Sequence, residues 1–161
     1  MKSPRPNRQA RGATLLEMIV ASALVMVLAS GVFPLMHWND KRMKENQLKI
    51  ALATMRQAID KYNEYAVEGL IIQEDVDQMF YPVDLEELVE GVEVGDPQSP
   101  DAKEVRFLTR IPPNPFTGEP DWGMRSYQDD WDSTSWGGEN LYDVFSDYQG
   151  KALDGSYYQE W

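Results

Sequence analysis

The sequence predicts an α+β chain, in which a long N-terminal α-helix packs on a small head made of short helices and an antiparallel β-sheet. Two observations carry this prediction. Helical spacing of apolar residues extends over residues 14–66, and no glycine or proline lies between Pro34 and Gly69. After residue 122, short runs rich in aromatic and β-branched residues alternate with glycine turns. A length of 161 residues fits one such head beside the helix.

The first element is a basic leader followed by an apolar run. Residues 1–12 carry four basic residues and no acid, whereas residues 13–36 carry only one charge, Glu17. The 19 uncharged residues from 18 to 36 approach the roughly 20 that span a bilayer as a helix. Because the basic residues precede the run, we expect the N-terminus in the cytoplasm and residues 37–161 across the membrane. An ordinary secretory signal peptide is the alternative, but its apolar core is shorter and is not continued by a helix.

The second half of the helix is apolar on one side only. The residues of this stripe are spaced alternately by four and three: Leu48, Leu52, Met55, Ile59, Tyr62 and Ala66. Such a stripe is typical of a helix that packs against a small domain. Within the apolar half, Pro34 removes a backbone hydrogen bond and is predicted to kink the helix.

The head divides into a helical part, a middle region and a C-terminal sheet, at residues 37–66, 67–121 and 122–161. In the middle region, residues 72–80 and 84–89 are predicted as short helices, the second with Asp84 as N-cap and Glu87 three residues later. Residues 91–102 are predicted as a loop, and residues 105–111 as a short amphipathic stretch. The predicted strands are residues 123–127, 140–146 and 156–161.

The charge and the residue types exclude several classes of function. Residues 62–161 contain 5 basic and 23 acidic residues, so this part of the chain would repel a phosphate backbone and is not expected to bind nucleic acid. The chain has no cysteine and a single histidine, His37. Thiolate metal sites, cysteine nucleophiles and histidine-based triads therefore have no basis in the sequence. No glycine-rich phosphate loop is present either, and we expect neither an enzyme nor a catalytic residue.

The most specific motif is Arg11-Gly12-Ala13-Thr14-Leu15-Leu16-Glu17, directly before the apolar run. It resembles the processing site of type IV prepilins and of the pseudopilins of type II secretion. The resemblance implies that a prepilin peptidase cuts after Gly12 and methylates the new amino group of Ala13. Glu17 is then the fifth mature residue and Pro34 the twenty-second, where the family places a glutamate and often a proline. Ala13 departs from the usual phenylalanine at a position that varies in the family.

Assembly into a filament would explain why a glutamate lies in the apolar run. An acidic residue at the centre of a bilayer costs about 2.5–3.5 kcal/mol, so its presence calls for a partner. In a filament Glu17 can pair with the α-amino group of Ala13 on a neighbouring subunit and set the axial register. Alternatively, the Glu17 carboxylate lies near the cytoplasmic interface and reaches the lipid headgroups at little cost.

A second resemblance lies in the head and points to one branch of the family, the major pseudopilins of type II secretion. Its segments are residues 84–89 (DLEELV), 107–112 (FLTRIP), 114–118 (NPFTG) and 142–146 (YDVFS), followed by Gly150 and Asp154-Gly155. The order of these segments is similar to the short helix, proline stretch, turn, last strand and late loop of that branch. Residues 128–139 have no counterpart that we can place.

The resemblance to major pseudopilins implies a structural calcium site in the late loop, since that branch binds Ca²⁺ there. The side chains at the matching positions are Ser146, Asp147 and Asp154. A second acidic cluster, Asp129, Asp130 and Asp132, could bind the ion instead. Calcium requires six to eight oxygen ligands. In a head this acidic, neighbouring aspartates are also expected by chance, so the alternative is that there is no metal and no cofactor.

Three functions remain open on the sequence. The first is a pseudopilus subunit of type II secretion, which waits in the inner membrane and then assembles into a periplasmic filament. Its partners would be further copies of itself, other pseudopilins, prepilin peptidase and the inner-membrane assembly platform. The second is a type IV pilin or minor pilin of a surface fibre. The third is a single-pass membrane adaptor that keeps residues 1–12.

Overall fold

The computed structural model describes residues 14–73, 75–95 and 102–161, with the backbone alone over residues 30–37. Gly12 and Ala13 lie outside the described residues. The chain divides into two compact units, Met1–Asp40 and Lys41–Trp161. The structure is α+β, as predicted, because one long helix is combined with small antiparallel sheets.

Helix α1 comprises Leu15–Val67 and agrees with the prediction for residues 14–66 to within one residue at each end. Residue 34 lies within the helical assignment, but its side chain is among those that are not described, so the predicted kink stays a prediction. The same holds for the membrane-spanning segment 13–36, of which residue 13 and the side chains of residues 30–36 are not described. Over the described residues, none of the helices has the combination of length and apolar character that crossing a membrane requires.

The apolar stripe of α1 forms one side of the hydrophobic core of the head. All six residues of the predicted stripe are buried, together with Ala51 and Ala58 from the same side of the helix. Aromatic side chains close over its C-terminal end, where Phe107 packs edge-on against Tyr62 and Tyr65 at ring distances of 5.5 and 5.4 Å. The prediction that this face of the helix lies in a core is confirmed.

The middle region contains less helix and more strand than predicted. In the described part of residues 72–80, which omits residue 74, the only helical element is the 3-10 turn Val76–Gln78, whereas helix α2 forms at Leu85–Glu90. Asp84 caps α2 as predicted, since its Oδ1 accepts a hydrogen bond from Glu87 N at 2.9 Å. Strands β1 (Val92–Val94) and β2 (Lys103–Val105) then pair antiparallel. The prediction of a loop from residue 91 was therefore wrong at its start.

The C-terminal sheet has two strands, β3 (Trp122–Arg125) and β4 (Asp143–Ser146), which pair antiparallel with Gly123 opposite Phe145. A Cβ atom at residue 123 would overlap the ring of Phe145, so this position needs glycine. The predicted third strand at 156–161 was wrong. Its residues form a 3-10 turn, Tyr158–Glu160, preceded by one bridge from Tyr157 to Lys151.

We expect Met55→Ala to lower the free energy of unfolding by about 2–5 kcal/mol, because it opens a cavity in the buried core of the head. Met55 is 0% exposed, whereas Ile50 on the same helix is 66% exposed and serves as the matched control. The measurement is urea unfolding of the full chain in detergent, followed by tryptophan fluorescence. Equal effects of Met55→Ala and Ile50→Ala would contradict the assignment of the core face.

Candidate assembly site and tail loop

The N-terminal turn of α1 is capped by Thr14. The backbone N–H of Glu17 donates to Thr14 Oγ1 at 3.3 Å, and Met18 N donates to Thr14 O at 3.1 Å. This places Glu17 in the first turn, where a carboxylate is favourable next to the exposed N–H groups of the helix. The Glu17 side chain is exposed and therefore accessible to a group from another molecule.

The first unit presents apolar side chains on every side of α1. Leu15 is 78% exposed and Leu28 is 74% exposed, and the large apolar residues between them are at least half exposed. Contiguous apolar surface of this extent is characteristic of an interface with other subunits or with lipid. Residues 15–28 thus form an exposed apolar surface that contains one charged residue, Glu17.

In the second unit, two charged residues of α1 hold the C-terminal tail. Glu45 is buried, and its Oε1 accepts hydrogen bonds from Leu153 N at 2.8 Å and from the hydroxyl of Tyr158 at 2.9 Å. One turn earlier, Lys41 Nζ donates to the carbonyl of Lys151 at 2.6 Å. Residues 151–158, which we call the tail loop, are therefore fixed to the start of the amphipathic part of α1.

A second charged group connects α1 to strand β4. Arg56 Nε donates to Asp143 Oδ1 at 2.7 Å, and its Nη2 donates to the carbonyls of Val144 at 2.8 Å and Trp161 at 2.9 Å. Arg125 Nη1 lies 3.6 Å from the other carboxylate oxygen of Asp143. Asp143 thus accepts hydrogen bonds from Arg56 and forms an ion pair with Arg125, so the charges in this half-buried place have partners.

The residues predicted for calcium have different surroundings. Ser146 is buried at the end of β4, and its Oγ accepts from Asn114 Nδ2 at 3.2 Å and from Tyr148 N at 3.3 Å. Asp147 is exposed. Asp154 Oδ1 accepts from the hydroxyl of Ser156 at 2.7 Å and from its backbone N–H at 3.0 Å. These bonds lower the pKa of Asp154 below its ordinary value.

The three residues of the alternative cluster, Asp129, Asp130 and Asp132, differ in exposure. Asp129 Oδ2 accepts from Ser126 N at 2.7 Å and from Gly137 N at 3.1 Å, and so closes the loop. Asp130 and Asp132 are exposed. Across residues 14–73, 75–95 and 102–161, no three acidic or histidine side chains gather in a metal-binding group. The oxygen donors suit calcium in kind, but most of the ligands in either loop would have to be backbone carbonyls and water.

Sequence reasoning missed the buried polar residues that organise these loops. Asn140 Oδ1 accepts from Tyr127 N at 2.9 Å, and its Nδ2 donates to Asp77 O at 2.9 Å and to Gln128 Oε1 at 2.8 Å. Asn114 plays a similar part through Ser146. Nothing in the sequence distinguishes these asparagines from turn residues. Lys41 and Glu45 did carry a signal, because they continue the four–three spacing of the apolar stripe toward the N-terminus.

One comparison with known proteins is positive. A family profile described as the prokaryotic N-terminal methylation motif matches residues 7–33, which include Gly12, Ala13 and Glu17. The chain therefore carries a prepilin-like N-terminal signal. No curated protein and no solved structure matches the chain.

We expect alkaline pH to destabilise the head in part through Tyr158. Burial, and then the hydrogen bond to Glu45, raise the pKa of Tyr158 above the ordinary 10.0. The neutral form is therefore favoured in the folded state. The contribution of Tyr158 to the free energy of unfolding is complete below pH 10. It is lost as the pH rises further, because the unfolded chain then releases the phenol proton more readily than the folded chain does.

This expectation is checked by the slope of the unfolding free energy against pH between about pH 9 and 11. Tyr158→Phe should flatten the slope, whereas Tyr157→Phe, which changes an exposed neighbour, should leave it as in the wild type. Identical slopes for the wild type and Tyr158→Phe would show that the phenol does not contribute.

Proposed function

We propose that the chain is a subunit of a type II secretion pseudopilus. The observation that carries the proposal is the methylation motif at residues 7–33, which includes the exposed apolar start of α1 and is followed on the same helix by a face that is buried in the head. The proposed pathway starts in the inner membrane, with residues 13–36 inserted and the acidic head in the periplasm. Prepilin peptidase removes residues 1–12, and the mature chains assemble through their N-terminal helices.

The proposed role of Glu17 follows from its place. It is the only charged residue in the apolar run and lies exposed in the first turn of α1. When a subunit leaves the membrane, its carboxylate would meet the methylated α-amino group of Ala13 on a neighbour. Removed from water, this ion pair stabilises one axial register over the others, while the apolar side chains supply non-directional contact area.

The choice of a pseudopilus over a surface pilus rests on the head. It contains no cysteine pair near the C-terminus, and segments 84–89, 107–112 and 142–146 are similar to those of major pseudopilins. A type IV pilin or minor pilin shares the same N-terminal chemistry and remains the second candidate. Further proposed partners are other pseudopilins and the inner-membrane assembly platform. No step of this function requires a catalytic residue in the chain.

Assembly is tested by the fraction of chain found in filaments sheared from spheroplasts, which expose periplasmic filaments, when the full chain is produced together with a prepilin peptidase and an assembly platform. We expect Glu17→Gln, which keeps the size of the side chain but removes its charge, to lower this fraction about tenfold, as loss of a desolvated ion pair would. Glu17→Asp keeps the charge and is the matched control. Filaments of Glu17→Gln at the wild-type level would contradict the proposed pairing.

A calcium ion in the late loop is part of the same proposal. Asp147 and the second oxygen of Asp154 would supply carboxylate ligands, and the bound ion would stabilise the loop that follows β4. At a free calcium concentration about 100-fold above Kd, binding to the folded state would add ~2.7 kcal/mol to its stability.

We therefore expect a chelator to lower the melting midpoint of the full chain in detergent, and Asp147→Asn to remove this dependence. Asp130→Asn serves as the control, because Asp130 belongs to the alternative cluster. An unchanged midpoint on chelation would remove the calcium site from the proposal. Loss of the dependence in Asp130→Asn alone would move the site to residues 129–132.

A further inference from the structure

The loop between β3 and β4 presents an exposed tryptophan. Trp131 is 87% exposed and is flanked by two exposed aspartates, Asp130 and Asp132. The loop itself is held at several points, since Asp129 and Asn140 fix its ends and Arg125 Nε donates to the carbonyl of Ser133 at 2.6 Å. A tryptophan that is exposed on a fixed loop is the type of residue that dominates binding energy at protein interfaces. We call residues 130–132 the knob.

A groove of about 520 Å³ opens elsewhere on the same unit, between α1 and residues 107–115. Its walls are mostly apolar and include Ile50, Phe107, Pro112 and Pro113. Ile50 is 66% exposed there, which is unusual for an isoleucine beside a core. Arg110 is the cation at its edge. Within the described residues Arg110 has no ion pair, although the chain around it is strongly acidic.

The knob and the groove lie on opposite sides of α1. The groove contacts α1 through residues that include Ile50 and Thr54. The knob lies on the side of Arg56, because Arg56 pairs with Asp143, Asp143 pairs with Arg125, and Arg125 lines the hollow beside Trp131. A helix turns by about 100° per residue, so Thr54 and Arg56 point in nearly opposite directions.

The two surfaces are complementary in chemistry. The knob offers one large aromatic side chain between two carboxylates, and the groove offers an apolar hollow with an arginine at its edge. Proline and isoleucine walls suit the flat face of an indole, and Arg110 can pair with either aspartate. Two complementary surfaces on opposite sides of one chain generate a head-to-tail contact, which repeats along a filament when the rotation between copies does not close a ring.

We propose that Trp131 of one copy of this chain inserts into the groove of the next copy, with Asp130 and Asp132 against the neighbour's Arg110. The inference rests on the proposed function as a filament subunit, to which it adds a specific contact between heads. Residues 128–139, which have no counterpart in the resemblance to major pseudopilins, thereby gain a role in assembly.

The absence of cysteine from all 161 residues allows a direct test by cross-linking. Thr134→Cys places a thiol on the exposed loop beside Trp131, and Gln47→Cys places one in the groove. In membranes containing the full chain with both changes, a short bismaleimide should give a ladder of multimers. Two co-produced single-cysteine chains should give dimers only. In the matched control, the cysteine on the loop is moved to Glu93, the exposed residue of β1, as Glu93→Cys.

Three further variants identify the contact itself. In the double-cysteine background, Trp131→Ala should lower the cross-linked fraction about tenfold, as expected for the central residue of an interface. Arg110→Glu should lower it as well, and combining it with Asp130→Lys and Asp132→Lys should restore it. Trp131 is so exposed that its replacement should leave the melting midpoint unchanged.

Cross-linking no stronger than in the Glu93→Cys control would overturn the inference, and so would a ladder that is insensitive to both Trp131→Ala and Arg110→Glu. Neither result bears on the proposed function, which is decided by the sheared filament fraction of the chain without cysteines. Conversely, a Trp131-dependent ladder in membranes without filaments would support the contact and count against the pseudopilus.

Discussion

The head depends on the burial of one stripe of helix α1. Leu48, Met55 and Tyr62 are fully or almost fully buried, and both sheets and helix α2 pack over the line that they form. In the first unit, over residues 15–28, whose side chains the structure describes, the large apolar residues of the same helix are at least half exposed. Helix α1 therefore has one part whose apolar face is buried in the core of the head and another part whose apolar surface is exposed. The exposed part is the kind of surface that lipid or another subunit covers. This division is the physical basis for the proposal of a filament subunit.

Charged groups along the edges of the stripe determine how the C-terminal part of the chain folds back on it. Glu45 holds Leu153 and Tyr158, and Arg56 holds Asp143 and the carbonyl of the last residue. These contacts join positions about 90 to 110 residues apart, so each of them closes a long loop of the chain. Because Glu45 is hydrogen-bonded and Arg56 is ion-paired, these groups fix the register of the tail where apolar contact alone would allow it to shift. The loop that carries Trp131 is positioned by the same network through Arg125.

The sequence allowed the prediction of those parts of the fold that follow from local pattern. The alternating four and three spacing defined α1, and Asp84 with Glu87 predicted the start of α2. Strands β1 and β2 have three residues each, which is too short for an alternating pattern to be detected. The predicted strand at 156–161 failed because its aromatic residues have partners outside a sheet: Tyr158 contacts Glu45, and the Trp161 carbonyl accepts from Arg56. For the candidate site, the N-terminal motif was recognisable, whereas burial of Ser146 depends on tertiary contacts that no local pattern shows.

The central claim is that residues 1–12 are a leader and that the mature chain is built to assemble through its N-terminal helix. The most direct measurement is the N-terminal mass of the protein purified from its native membrane. A chain that begins at methylated Ala13 and lacks residues 1–12 is the result that our account predicts. An intact leader in cells with an active prepilin peptidase would contradict it and would favour a single-pass membrane adaptor.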